Sequence, residues 1–258
     1  MTLRQLLTLS LTLALVTAQN SILHAATPND PPKLLQGVHK IVTLGDSITA
    51  AGGQPGGYVD LLGKYLNKLY PAQNIAVVNS GIGGHKSTDM QARFQRDVLD
   101  HKPDLVTISV GVNDVWHAFR DFQRGVDHPD GELSAGVPIE LYREKLISMI
   151  NAAQAAKVKV VLLAPTLIYE RLDSNENKRL HIYLDEMKRV ASETRCTFVD
   201  LNKPFEEIIA RYQKYAGRSA NLLTSDGVHM NGAGNRIMAY TILRGLGVKD
   251  NQISDLKP

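Results

Sequence analysis

Five short runs of Val, Ile and Leu recur along the chain from Lys40 onwards, and the stretches between them carry helical periodicity. The runs are Ile41–Leu44, Ile75–Asn79, Leu105–Val110, Val158–Ala164 and Thr197–Asp200. They are too short for buried helices, and most lack polar alternation, as expected of strands covered on both faces. Between them, Val59, Leu62, Leu66 and Leu69 repeat at helical spacing, as do Tyr142, Leu146, Met149, Ile150 and Ala153, and Leu180, Leu184, Met187 and Ala191. A last helix is expected from about Gly232 to Leu243. Strand and helix in alternation predict an α/β fold: a parallel sheet with helices on both faces, joined by right-handed crossovers. In such a sheet the loops after the carboxyl ends of the strands form the ligand crevice. Gly125–Pro138 and Leu167–Asn177 are either crevice loops of this kind or solvated connections.

The 258 residues suffice for one sizeable domain, and neither an internal repeat nor a shift in composition marks a second. Residues 1–26 read as an export signal: Arg4, a Leu-rich run from Leu6 to Val16, then small residues at Ala18 and Ala25-Ala26. That run is too short to span a bilayer, so export to a periplasm or the medium is expected, without stable membrane insertion once the signal is removed. Residues 27–39 read as a tail containing Pro and Asn. The formal charge of +3 arises from scattered lysines and arginines, so nothing points to nucleic acid. Cys196, the only cysteine, leaves no internal disulfide possible, and its strand-like setting suggests a buried structural thiol.

Chemistry gathers where the runs end. The first stops at Gly45-Asp46-Ser47: Ser47 stands at a rigid strand exit, or Asp46 or Ser47 caps the next helix. The second leads into Asn79-Ser80-Gly81-Ile82-Gly83-Gly84, which could aim N–H groups at a ligand or form a tight turn. It lacks the spacing of a phosphate or dinucleotide loop. The third ends at Gly111-Val112-Asn113-Asp114, where Asn113 could serve as a neutral donor to an anionic intermediate or belong to a turn or cap. Near the end of the chain, Asp226-Gly227-Val228-His229 places a carboxylate one backbone turn from an imidazole, leaving its second nitrogen for a hydroxyl such as that of Ser47.

These four segments together resemble the SGNH, or GDSL-type, hydrolase family. Gly45-Asp46-Ser47-Ile48 matches its nucleophile block, with isoleucine where leucine is usual. Asn79, Gly81 and Gly84 match the glycine block, Gly111, Asn113 and Asp114 the asparagine block, and Asp226 and His229 the last block. The resemblance implies a flavodoxin-like α/β/α sandwich over residues 40–250 with a five-stranded parallel sheet in the order 2-1-3-4-5. It implies a catalytic triad of Ser47 as nucleophile, His229 as general base then acid, and Asp226 as its orienter. The implied oxyanion hole comprises the N–H groups of Ser47 and Gly84 and the Asn113 side chain. The Gly-x-Ser-x-Gly elbow of α/β-hydrolases is missing around Ser47.

The expected function is therefore a serine esterase working through an acyl-enzyme, with neither cofactor nor metal. Asp46, Trp116, His117 and Tyr169 are candidate pocket residues, although Trp116 could equally belong to the core. Aromatic faces with mixed polar donors suit a sugar ring, so the expected substrate is a small-molecule or polysaccharide ester, O-acetylated or carrying another short acyl group. The alternative is a lysophospholipase or acyl thioesterase. A binding module without chemistry is disfavoured by the intact Ser47, Asn113 and His229. A metal-dependent phosphoesterase using Asp46, Asn113 and His229 is disfavoured by the lack of a further His/Asp cluster. The residues do not fix an oligomeric state.

Overall fold

The computed structural model describes residues 30–217 and 220–256. The export signal expected over residues 1–26 and the first residues of the expected tail lie outside the described residues. Fifteen principal elements follow in order: β1 (Lys40–Gly45), α1 (Ser47–Gly52), α2 (Tyr58–Leu69), β2 (Ala76–Gly81), α3 (Ser87–Ala92), α4 (Phe94–Asp97), β3 (Leu105–Ser109), α5 (Val112–Phe119), α6 (Ile139–Ala155), β4 (Lys159–Leu163), α7 (Asn175–Thr194), β5 (Thr197–Val199), α8 (Asn202–Ala216), α9 (Gly232–Gly245) and α10 (Asp250–Ser254). A separate two-stranded ribbon pairs Arg120–Asp121 with Val126–Asp127 inside the loop between α5 and α6.

The five strands are all parallel and lie in the order β2-β1-β3-β4-β5, the order implied by the resemblance. Val42 sits between Val78 and Val106, and Leu44 between Ser80 and Ile108. The chain thus steps to one side of β1 to make β2 and crosses back to make β3. That reversal opens a crevice beyond the carboxyl ends of β1 and β3. Helices cover both faces: α2 packs on α9 and α9 on α8, while α3 packs on α6 and both α5 and α6 on α7.

Burial explains why these runs became strands. β3 is buried throughout, and β1 and β4 are buried beyond their first residues, so Val and Ile there are covered from both sides. Coverage of both faces does not extend to β2 and β5, whose residues are mostly half-buried or exposed. They are the edges of the sheet, where the helical layers end. The expected stripe on α6 is the one that goes inward: Tyr142, Leu146, Met149, Ile150 and Ala153 are all buried. Each large side chain of that stripe contributes about 1.5–3 kcal/mol on burial. Leu35 and Val38, just before β1, are wholly buried as well. Helix α8 is not among the stripes expected from the sequence, because its inward face is narrow, with Phe205 and Ile209 as its buried apolar residues. Cys196 is half-buried beside the Thr194 hydroxyl, and burial pushes its thiol up, away from the thiolate.

Helix α1 lies directly on the end of β2. A Cβ on Gly81 would fall 2.1 Å from the Ala50 backbone nitrogen. Since backbone, not a movable side chain, stands in the way, Gly81→Ala is expected to destabilise the fold by at least about 1–3 kcal/mol, the range for over-packed positions. A urea midpoint equal to that of the wild type would contradict this packing.

Candidate active site

The site begins where β1 stops. A Cβ on Gly45 would overlap the Thr49 side chain, so the turn out of the strand needs glycine. The Asp46 carboxylate then accepts the Ile48 N–H at 2.9 Å and caps α1. Ser47 therefore occupies the first position of a helix, whose N–H has no partner within that helix. Asp46 itself is buried under this turn. Its side chain points back to hold the helix start, the capping role that the sequence also offered.

Ser47 meets residues from near the other end of the chain. The Ser47 hydroxyl lies 2.8 Å from His229 Nε2, and His229 Nδ1 lies 2.6 Å from Asp226 Oδ2. The other Asp226 oxygen accepts the N–H groups of Val228 at 2.9 Å and His229 at 2.8 Å. One carboxylate therefore both shapes the loop and orients the ring. Burial pulls the Asp226 pKa upward, but the hydrogen bonds from the His229 backbone and ring and from Val228 outweigh it and leave the carboxyl below its ordinary value. Beyond His229, Asn231 caps α9 by accepting from Ala233 and Gly234, and Asn235 in the same helix accepts the Tyr58 N–H at 2.9 Å.

The glycine and asparagine blocks close the opposite side. The Cβ position of Gly83 lies 3.8 Å from Ser47 Cβ, and Gly84 takes φ +76°, a conformation open to glycine. Asn113 sits in the first turn of α5 and donates one Nδ2–H to the His85 carbonyl at 3.1 Å. An amide carries two such protons, so the second is available to a ligand. Asp114 ties this turn to the next: its carboxylate accepts both the N–H and the hydroxyl of Ser87, at the start of α3.

Arg93 is the member of this assembly that sequence reading missed. Its buried guanidinium donates to the Gly45 carbonyl at 2.9 Å, the Ser80 carbonyl at 2.9 Å, Asp97 at 2.9 Å and His85 Nδ1 at 3.1 Å. One cation thereby holds together the exits of β1 and β2 and the residue after Gly84. Because arginine can only donate, His85 Nδ1 must accept, placing the ring proton on Nε2. Burial, with the Arg93 charge, lowers the His85 pKa. No spacing in the sequence singles this arginine out.

The aromatic candidates adjoin the His229 loop. Gly227, at φ +99°, leaves no room for a Cβ, which would meet the Tyr169 ring at 2.8 Å. The Tyr169 hydroxyl accepts Trp116 Nε1–H at 3.2 Å, and the two rings meet edge to face at 5.8 Å. Trp116 also meets Phe122 edge to face at 4.7 Å, and His117 lies 4.8 Å from that same ring. Trp116 thus packs on the core and joins an aromatic wall beside the His229 loop. Phe122, in the turn of the ribbon and 47% exposed, extends that wall and was not anticipated. Among the described residues, no three His, Cys, Asp or Glu side chains are grouped as a metal-ion site.

Two buried carboxyls lie beneath the site. Burial raises Asp46 to about 6 against the pull of the Ile48 N–H, and the Asp114 charge adds to the rise. Burial likewise raises Asp114 to about 6 against its bonds to Ser87. The folded protein therefore keeps protons, between about pH 4 and 6, that the unfolded chain releases, and this pair makes stability fall as pH rises through that window. Asp114→Asn should flatten the fall by about 2 kcal/mol, at about 1.4 kcal/mol per pKa unit. Urea unfolding at both ends of the window measures it; a fall as steep as in the wild type would be the contrary result.

Similarity to known proteins agrees with this geometry. Residues 43–237 match the model of the GDSL-like lipase/acylhydrolase family. An acetylxylan esterase from Geobacillus stearothermophilus is 31% identical over 223 residues, covering 81% of this chain and 94% of the relative. An isoamyl acetate-hydrolysing esterase from Saccharomyces cerevisiae is 25% identical over 224 residues, covering 80% of this chain and 84% of the relative. A crystal structure of an acetylxylan esterase from Geobacillus stearothermophilus superposes with a TM-score of 0.69 at 30% identity, over 82% of this chain and 95% of that one. With the family model spanning most of the sequence and the strand order in place, the chain belongs to the GDSL-like lipase/acylhydrolase family and is a carboxylic ester hydrolase.

Proposed function

We propose that the protein is a serine esterase that removes acetyl or other short acyl groups from carbohydrates, with Ser47, His229 and Asp226 as its catalytic triad. The observation that carries this reading is the continuous path from the Ser47 hydroxyl through the His229 ring to Asp226, at 2.8 and 2.6 Å. Asp226 holds the ring proton on Nδ1, so Nε2 is free to take the Ser47 proton as the hydroxyl attacks the ester carbonyl. Negative charge then gathers on the carbonyl oxygen. It is received by the N–H groups of Ser47 and Gly84 and the second Nδ2–H of Asn113, donors whose positions are set before substrate arrives. His229 returns the proton to the leaving alcohol. A water molecule repeats the sequence on the acylated serine, releasing the acid and restoring the hydroxyl.

Two observations support a short acyl group on a sugar. The similar proteins named above are esterases of acetylated xylan and of isoamyl acetate. The wall formed by Tyr169, Trp116 and Phe122 offers ring faces and edges, with Arg171 stacked on Tyr169 at 5.2 Å. Aromatic faces of this kind favour the C–H face of a sugar over a long flexible chain. The aliphatic alternative, a lysophospholipase or acyl thioesterase, requires a deep apolar slot beside Ser47. We further propose that residues 1–26 direct export and that the folded domain acts outside the cytoplasm. No helix among the described residues is long and apolar enough to cross a membrane.

Ser47→Ala is expected to abolish ester hydrolysis with the melting temperature unchanged, and near-native turnover would remove the mechanism. Asn113→Ala should lower kcat by about 10²–10³, the loss typical of one oxyanion donor. Acetylated xylo-oligosaccharides and p-nitrophenyl acetate should be hydrolysed far faster than octanoyl and longer esters. Preference for the long chains would transfer the protein to the lipolytic alternative.

A further inference from the structure

The loop after β4 does more than line the crevice. Glu170 in that loop is buried, and its carboxylate takes four hydrogen bonds from the stretch just before Asp226. Oε2 accepts the Leu222 N–H at 2.6 Å, and Oε1 accepts the N–H groups of Leu223 and Thr224, both at 2.8 Å, and the Thr224 hydroxyl at 2.7 Å. The Thr224 hydroxyl, its proton committed to Glu170, accepts the Gly227 N–H at 3.1 Å. Gly227 stands between Asp226 and the two residues whose N–H groups Asp226 accepts. A directed chain of bonds therefore runs from Glu170 through Thr224 to the peptide that carries Asp226 and His229.

Glu170 is itself firmly seated. The buried Asn177 side chain in the first turn of α7 accepts the Ile168 N–H and donates to the carbonyls of Ile168, Tyr169 and Arg171. Gln213 of α8 donates to the Glu170 carbonyl at 2.6 Å. Tyr169, next in chain, takes φ +61° and presses its ring on Gly227. So many bonds on one turn are more than a solvated connection needs. They suit an anchor that must fix the position of an imidazole facing a hydroxyl to a few tenths of an ångström.

We infer that Glu170 and Thr224 are positioning residues for His229: the buried carboxylate clamps the Leu222–Thr224 backbone, and the Thr224 hydroxyl passes that constraint to Gly227, setting the Asp226–His229 geometry. Neither residue touches the Ser47 hydroxyl in this arrangement; they act through the loop. The inference rests on the triad assignment proposed above, and a shift of the imidazole by about 1 Å is enough to cost 10²-fold in turnover.

Thr224→Val keeps the volume and removes both hydrogen-bonding functions of the hydroxyl, whereas Thr224→Ser keeps them. The valine variant should lose about tenfold to a hundredfold in kcat on p-nitrophenyl acetate with KM nearly unchanged, and the serine variant should recover most of it. The far-downfield proton NMR signal of the His229–Asp226 hydrogen bond should broaden or vanish in Thr224→Val and persist in Thr224→Ser. Glu170→Gln decides the matter if the valine variant does not fold, since its amide must turn an N–H against one of the loop donors. It too should lower kcat, not raise KM. A folded Thr224→Val with wild-type kcat, failure of Thr224→Ser to recover, or an unaffected Glu170→Gln would overturn the clamp. If the wild type hydrolyses the ester and Ser47→Ala does not, such a result leaves the triad assignment standing. An inactive wild type, or an active Ser47→Ala, sinks that assignment instead.

Discussion

Parallel pairing of β1 with β3, Val42 beside Val106 and Leu44 beside Ile108, is the constraint on which the site rests. Parallel neighbours end at the same edge of the sheet, so whatever follows each strand is delivered to one place. Because β2 lies on the other side of β1, the chain leaving β1 and the chain leaving β3 depart on opposite faces and part over a crevice. Ser47 stands on one lip and Asn113 on the other, with the glycine block from β2 turned back between them. Apolar burial of the central strands holds this arrangement firmly beneath the polar groups.

Above the sheet, the work passes to buried polar side chains. Arg93 gathers the carbonyls of Gly45 and Ser80, Asp114 joins α5 to α3 through Ser87, and Glu170 holds the strip before Asp226. Each lies in an environment that penalises an unpaired polar group by about 1–3 kcal/mol, and each is met by several partners. A fully bonded buried network specifies one loop conformation far more sharply than apolar contacts, which slide at little cost. The site thus combines a hydrophobic scaffold that sets direction with a polar layer that sets distance.

The same division explains what was legible beforehand. Five β-branched runs and the stripes between them sufficed to read a parallel sheet with two helical layers, because apolar periodicity is a local property. The blocks at the exits of β1 and β3 marked Ser47 and Asn113, and the block before α9 marked Asp226 and His229. Helix α8 escaped because its stripe is narrow, and Asp46 was left between cap and pocket because a capping carboxylate and a pocket carboxylate look alike in sequence. Arg93, Phe122 and Thr224 carried no signal at all, and Glu170 only that of the loop it sits in: their importance lies in which carbonyl, ring or N–H comes to face them.

From the chain alone, then, came the class of fold, the edge of the sheet where chemistry gathers and the residue types able to perform it, since each follows from local periodicity or from the reactivity of a side chain. The tertiary structure decided the rest: that His229 lies within 2.8 Å of Ser47 across 182 positions, which carboxylates are buried, and which loops hold the site in register. Contacts between segments so far apart depend on how the crossovers pack, and no short window of sequence contains that information.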